Sequence, residues 1–488
     1  MDKKELGLLV ALMLTALLIR GFFLSKVEVL LPDEAYYVQM GQHLAEGGSF
    51  HDFNRVERTN MGQPLFLYLY AIVSPLGKDP IKTGQWVSLF FALATLVPFH
   101  FCARLLSSRV AALWSDLVYV LSPLFIQYSV WAMPHSLFNF FFVVSLLFTL
   151  KAQRSGRLSW ILLAAVAAWG FYMVRPEGFF FAAVFGLAIL FSIGRRPALV
   201  FSALFVLLSL PFWLWLKKET GIWQLTWSEG LGTSGIFLRR LIERMGVDAG
   251  PLTFLRFYAE NLGDCYSMLP KILPLMIWML VSVGVVDVLR RDRTLVRSVL
   301  IVLALVGFPF FFYPSYNVEP RFLVPSILSL TMFAGAGIHS IEERIKRWGK
   351  PIGLGLLILS FIPGYRSLLL SFKEEPMEQK QLGEWIQLHF KTPQVILGSD
   401  WRTCFYAGPS CKRFIWIIEE IHPLMKGSSF QDFLRLKKVD LIAADTRYLP
   451  KFFPSFNFLL KDSPPNLKPL VQVSEKENKI TLYELAKS

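Results

Sequence analysis

The chain is poor in the features that mark soluble, zinc-stapled or nucleotide-driven proteins. Charged residues make up only 18% of its 488 residues, against about 25% in an average soluble domain. It has four cysteines, and no two form the CxxC pair of a structural zinc site. No Gly-rich loop of the kind that cradles a nucleotide between a strand and a helix is evident, which disfavours a soluble nucleotide ligand. Neither an internal repeat nor a low-complexity linker is found.

What the chain has instead is apolar bulk. It is 54% hydrophobic, with 44 Phe and 14 Trp. The excess lies in long runs with few charges, each about long enough to cross a hydrocarbon core at ~1.5 Å per residue. The first run, from about Leu6 to Leu24, follows Met1-Asp2-Lys3-Lys4. A cleaved signal peptide has a similar look, but no convincing small-residue cleavage site precedes Asp33. The run therefore reads as a retained span with its N-terminus in the cytoplasm. Further spans are expected at roughly 83–102, 110–128, 136–150, 158–174, 178–194, 198–216, 271–289, 298–314, 321–341 and 351–370, about eleven in all.

Charge tests that arrangement. The net charge is +14, and much of it falls in short loops between spans, so nucleic acid is not needed to explain it. Arg104/Arg109, Lys151/Arg154/Arg157, Arg195/Arg196, Arg290/Arg291/Arg293/Arg297 and Arg344/Lys346/Arg347/Lys350 all fall on one side. This is the positive-inside pattern with the N-terminus inside. Basic residues at the bilayer also favour anionic membrane lipids, including a phosphate-bearing lipid substrate. The expected fold is a polytopic α-helical membrane protein. Residues 1–372 form its transmembrane part, with outer-face loops 25–80 and 217–270.

The 25–80 segment is polar and aromatic, and its amphipathic pieces read as helices lying on the membrane surface. The 217–270 loop carries Trp223, Trp227 and a basic stretch around Arg239, Arg240 and Arg244. It reads first as another surface-lying helix and second as a substrate contact. From 373 the composition turns polar. Short β-like runs (394–398, 414–418, 440–444, 470–473, 480–485) alternate with helical pieces at 379–390 and 430–437. That pattern is expected of a small extracytoplasmic α/β domain over 373–488. Within it Cys404 and Cys411 are spaced for a bridged turn, which an extracytoplasmic location permits.

Charges at membrane depth are costly, so those at span ends invite a functional reading. Four groups share the outer side. They are Asp33/Glu34 in Leu31-Pro32-Asp33-Glu34-Ala35-Tyr36-Tyr37, His135 in Trp131-Ala132-Met133-Pro134-His135, Arg175/Glu177 in Arg175-Pro176-Glu177-Gly178, and Glu319/Arg321 in Glu319-Pro320-Arg321-Phe322. Each has a plainer alternative. Asp33 can cap a helix running through Met40 and Leu44. His135 can be a polar helix-start residue, Arg175/Glu177 a turn with a local ion pair, and Arg321 a snorkelling side chain.

Together these residues resemble a known family. Asp33-Glu34 after the first span, the turn from Gly62-Gln63-Pro64 to Tyr68, Arg175-Pro176-Glu177-Gly178 and Pro320-Arg321-Phe322-Leu323-Val324-Pro325 look like the multispanning GT-C glycosyltransferases. The branch they are most similar to is the protein O-mannosyltransferase and lipid A aminoarabinose transferase group. The resemblance covers most of residues 1–370, and the tail looks like the extracytoplasmic α/β tail of many bacterial relatives.

It implies an enzyme of the bacterial inner membrane. Such an enzyme transfers a sugar from a polyprenyl-phosphate donor, usually with inversion, to a lipid, glycan or protein acceptor on the outer face. Asp33 then matches the acidic base or acceptor orienter, and Glu34 is its neighbour in the motif. Arg321 matches the arginine of the arginine-aromatic-leucine-x-proline pattern, and a phosphate-facing role is inferred for it, for Arg58 and for Arg175. Tyr36, Tyr37, Gln63, His135, Glu177 and Glu319 are candidates for binding acceptor or donor sugar. Two departures stand out. A neutral Gln63 replaces the lysine with which the aminoarabinose branch contacts donor phosphate. His135 stands where a second carboxylate is expected, which leaves the second catalytic group and any divalent metal open.

The chemistry asks for such groups. Transfer from a lipid phosphate develops positive charge at the anomeric carbon and negative charge on the leaving phosphate. A carboxylate beside the acceptor hydroxyl takes its proton, and guanidinium groups suit the phosphate. The rival from another class is a lipid or solute transporter, which typically shows repeated halves with broken helices.

Overall fold

A computed structural model describes residues 2–49, 64–220, 223, 273–291, 320–345, 349–373, 377–416, 430–446, 449, 459, 467–475 and 478–485. The chain divides into two compact units. The first comprises 1–26, 60–69 and 82–370, and the second 27–59, 70–81 and 371–488.

The first unit is helical. In chain order it contains α1 (Lys3–Leu24), α4 (Pro80–Leu106), α5 (Arg109–Leu121), α6 (Pro123–Val130), α7 (His135–Ser155), α8 (Leu158–Val174), α9 (Gly178–Ser192), α10 (Arg195–Thr220), α11 (Leu275–Arg291), α12 (Pro320–Ile345) and α13 (Gly349–Lys373); α3 (Pro64–Val73) is shared between the units. Among the described residues six helices are long and apolar enough to cross a membrane, and α5 with α6 passes the same test as a bent pair. Leu18, Phe90, Leu199 and Leu359 stand largely exposed on such helices, the surface that lipid rather than water would cover. The protein is an integral membrane protein. Each expected span has its helix except 298–314, which lies outside the described residues.

Helix ends follow their sequence signals. Asp2 caps α1 by accepting the Glu5 N–H at 2.8 Å, and Ser108 caps α5 by accepting from Ala111 N–H. Helix α7 stops at Gly156, whose φ of 65° is left-handed and costs glycine least.

The expected span 110–128 is two helices bent by 57°. Pro123 has no N–H to give the Tyr119 carbonyl one turn back, and the bend strips Val120 and Leu121 of their next-turn donors as well. Side chains take over. Arg20, fully buried in α1, reaches the Val120 and Tyr119 carbonyls at 3.4 Å each and lies over the Tyr119 ring. Tyr365 from α13 donates to the Leu121 carbonyl at 2.8 Å. A buried cation in an apolar span is thus explained by the orphaned carbonyls of a broken helix.

Two further kinds of contact join helices of this unit. Glycines let α12 meet its neighbours backbone to backbone. A Cβ on Gly335 would lie 2.2 Å from the Ala111 carbonyl of α5, and one on Gly284 of α11 would lie 1.8 Å from the Phe333 carbonyl. An ionic cluster joins α1, α4 and α5. His100 bonds Asp116 at 2.6 Å and Glu5 at 3.1 Å, and Arg104 pairs with Glu5 at 2.9 Å.

The second unit holds a five-stranded sheet ordered β2-β1-β3-β5-β4, formed by β1 (Gln394–Gly398), β2 (Cys411–Trp416), β3 (Leu441–Asp445), β4 (Leu467–Glu475) and β5 (Asn478–Leu485). Strand β1 pairs in parallel with β2 and β3, and β5 runs antiparallel to both β3 and β4. All five residues of β3 are buried, as a strand central to a covered sheet requires. Helices α2 (Pro32–Ala45), α14 (Met377–His389), α15 (Arg402–Ala407) and α16 (Phe430–Leu436) complete the described part. A disulfide links Cys404 of α15 to Cys411 at the head of β2.

Candidate active site

The acidic motif opens α2. Pro32 takes the first helical position, where its missing N–H is no loss. Asp33 follows, half-buried, and then Glu34, fully buried. Glu34 reaches back one turn, and its Oε2 accepts the Leu31 N–H at 2.7 Å. Glu34, three residues past the N-cap position, thus satisfies the backbone N–H at the head of the helix. Negative charge in this first turn also complements the helix dipole.

The second unit anchors the start of α2 tightly. Trp401 Nε1–H donates to the Pro32 carbonyl at 2.8 Å, and its ring meets Tyr36 edge-on at 6.0 Å. Tyr36 in turn packs edge-on against Tyr37. Arg402, buried and paired with Asp400, donates to the Leu30 carbonyl at 3.2 Å. Tyr406 Oη accepts the Leu30 N–H at 2.9 Å. The turn after β1, closed nearby by the disulfide, thus grips both sides of the acidic motif. These partners escaped the sequence reading. Their one sequence signal is a tryptophan between an aspartate and an arginine, directly after a buried strand.

A second constellation forms in the first unit. Arg175 ends α8 and Glu177 begins α9, with a tight turn between them closed by Gly178 N–H to the Arg175 carbonyl at 2.9 Å. Glycine is required at 178 because a Cβ would lie 2.5 Å from the Tyr172 Cα. The turn aims both side chains the same way. Arg175 Nε and Nη2 hold Glu177 at 3.2 and 2.9 Å, and Nη1 reaches Nδ1 of His135 at 2.8 Å. His135 is the first residue of α7, 3% exposed, with its ring 4.9 Å from Tyr128. Burial pushes the Glu177 carboxyl up, but the Arg175 guanidinium more than offsets it, helped by Arg321, so the group sits below the ordinary value.

Three sequence-chosen residues, His135, Arg175 and Glu177, thus meet in one cluster, with the Arg321 charge acting on it. Asp33, Glu34, Tyr36 and Tyr37 share the head of α2. Arg58, Gln63 and Glu319 lie outside the described residues. Among the described residues no group of three or more His, Cys, Asp or Glu side chains is set to hold a metal ion.

No family model and no curated protein matches the sequence. Solved structures do match. ArnT from Cupriavidus metallidurans bound to undecaprenyl phosphate aligns over 98% of this chain and 98% of its own, with 13% identity and a TM-score of 0.62. Its apo form aligns over 99% of both chains at 14% identity with the same TM-score. The Archaeoglobus fulgidus oligosaccharyltransferase in complex with an inhibitory peptide and a dolichol-phosphate aligns over 91% of this chain and 69% of its own, at 11% identity and a TM-score of 0.62.

The fold is GT-C. In this GT-C chain the acidic motif follows the first span, and the arginine-proline-glutamate-glycine turn joins α8 to α9.

Proposed function

We propose that this GT-C protein is an inverting glycosyltransferase. It moves a sugar from a polyprenyl-phosphate carrier to a lipid, glycan or protein acceptor on the outer face of the bacterial inner membrane. Residues 1–372 are the transmembrane catalytic domain and 373–488 the extracytoplasmic domain in this reading. The observation that carries it is the alignment, along nearly the whole chain, with a structure bound to undecaprenyl phosphate.

The step balances as a direct displacement. The acceptor hydroxyl oxygen forms the new bond to the anomeric carbon while the bond to the phosphate oxygen breaks. Asp33 takes the hydroxyl proton, and the polyprenyl phosphate leaves with the electron pair. Arg58 and Arg321 stabilise the phosphate as its charge grows. Glu34, through its bond to Leu31 N–H, holds the helix turn that presents Asp33.

Mass spectrometry of lipids and glycans from a strain lacking the protein tests the reading. Accumulation of one polyprenyl-phosphate sugar together with loss of one glycosylated product supports it. Uptake of a solute or lipid into sealed vesicles carrying the purified protein, with no covalent product, contradicts it.

A further inference from the structure

One ring nitrogen of His135 is left over by the Arg175–Glu177 cluster. Its Nδ1 lies 2.8 Å from Arg175 Nη1. A guanidinium offers only N–H donors, so Nδ1 is the bare accepting nitrogen and the ring proton sits on Nε2. This Nε2–H is buried and makes no hydrogen bond. Buried donors without acceptors are rare in native proteins and call for an explanation, of which an incoming ligand is one.

A second such group stands on α4. Gln85 is fully buried, and neither its amide nitrogen nor its amide oxygen is hydrogen-bonded. It precedes Ser88 by one helical turn. Ser88 Oγ donates to the Met133 carbonyl at 2.9 Å, two residues ahead of His135. Residues three apart share a helix face, so Gln85 lies on the face of α4 that carries the 131–135 turn.

We propose that His135 Nε2–H and the Gln85 amide form a neutral polar subsite for sugar hydroxyls of the lipid-linked donor, with Arg175 as the positioning residue that fixes the His135 tautomer. The inference rests on the transferase reading. The chemistry selects hydroxyls over phosphate oxygens. A hydroxyl both donates and accepts, which matches a donor at His135 and a donor with an acceptor at Gln85. A phosphate oxygen only accepts and leaves the Gln85 carbonyl unmatched. The same tautomer makes His135 neither a base nor a metal ligand, because Nδ1 is occupied and Nε2 carries the proton.

Two substitutions separate this role from a merely structural one. His135→Gln keeps an N–H at the position of Nε2; His135→Asn keeps an acceptor toward Arg175 and has no distal donor. Binding is measured for the polyprenyl-phosphate hexose or pentose that wild type holds most tightly, and for sugar-free polyprenyl phosphate, after thermal unfolding confirms that both variants fold. His135→Gln is expected to bind the sugar-bearing lipid within about tenfold of wild type, and His135→Asn on the order of 10–100-fold more weakly. Neither should change binding of the sugar-free lipid.

Nitrogen NMR of histidine-labelled resting protein should show the His135 proton on Nε2. A proton on Nδ1, or full sugar-lipid binding by His135→Asn, overturns the proposal. Equal loss of both lipids in His135→Asn assigns the contact to phosphate and also overturns it. The nitrogen spectrum and the binding constants need no turnover. A wild type that binds the sugar-bearing lipid as described but transfers nothing refutes the transferase reading and leaves the subsite standing.

Discussion

Replacing His100 with Leu is expected to destabilise the helical unit by about 3–5 kcal/mol, the usual result of removing one partner from a buried charge cluster. Both ring nitrogens of His100 face carboxylate oxygens, Asp116 at 2.6 Å and Glu5 at 3.1 Å. Ionised carboxylates only accept, so both nitrogens donate and the ring is an imidazolium. With Arg104 on Glu5, the four groups sum to zero charge. His100 and Asp116 are fully buried and Glu5 is 1% exposed. Each close contact contributes roughly 4 kcal/mol at an effective dielectric of about 20.

Leucine removes both contacts and leaves Asp116 stranded, since its other oxygen already has no hydrogen bond. The double variant His100→Leu/Asp116→Leu should recover most of the loss, because both members of the stranded pair are gone. Unfolding in a fixed lipid–detergent mixture, followed by a thiol-reactive dye, reads the effect, since Cys102 is a buried thiol in the neighbouring turn of α4. A single variant within about 1 kcal/mol of wild type, or a double variant no better than the single, refutes the reasoning.

Other expectations follow from particular contacts. Glu177 titrates below the ordinary 4.5 in the folded protein. A depressed folded value means the contribution is full above about pH 4.5 and is lost as pH falls through the folded value. The stability difference between wild type and Glu177→Gln should therefore be flat from neutral to about pH 5 and shrink below that; a difference that grows on acidification contradicts it. Gly335→Ala should cost about 1–3 kcal/mol or more by overpacking, while Gly355→Ala, with nothing within 4 Å of its Cβ, should fold normally. Equal melting of the two variants argues against the close helix approach. Breaking the disulfide with Cys404→Ser should remove about 2–3 kcal/mol, matched by reduction of the wild type; an unchanged melting curve under reductant would refute this.

The helix positions among the described residues were legible because membrane crossing imposes a length on apolar runs, a local property of the chain. The tail strands were legible for a similar reason, as short β-branched runs between turn residues. What stayed hidden depends on contacts distant in sequence. Arg20 looks like an error in an apolar run until the Pro123 break frees the carbonyls that it satisfies. Pro123 is a helix breaker in the sequence, but Pro98, Pro211, Pro325 and Pro363 lie inside continuous helices, so proline alone did not mark the break between α5 and α6. Asp33 and Glu34 were legible as a pair, but the bond from Leu31 N–H to Glu34 was not, because it depends on where the helix starts. The grip of Trp401, Arg402 and Tyr406 on that start joins residues more than 360 apart in the sequence, a distance no motif spans. The meeting of His135 with Arg175 was likewise set by the packing of α7 against α8.

Sugar transfer by the Asp33→Asn variant, measured with purified protein, lipid-linked donor and acceptor, bears most directly on the proposed chemistry. Asparagine keeps the size and hydrogen-bonding reach of the side chain and leaves the Glu34 bond to Leu31 in place, so folding should be unaffected. Without a carboxylate to take the acceptor proton, the rate should fall by at least about 10²–10⁴-fold. A folded Asp33→Asn variant that transfers sugar at the wild-type rate would contradict the assignment of Asp33 as the base.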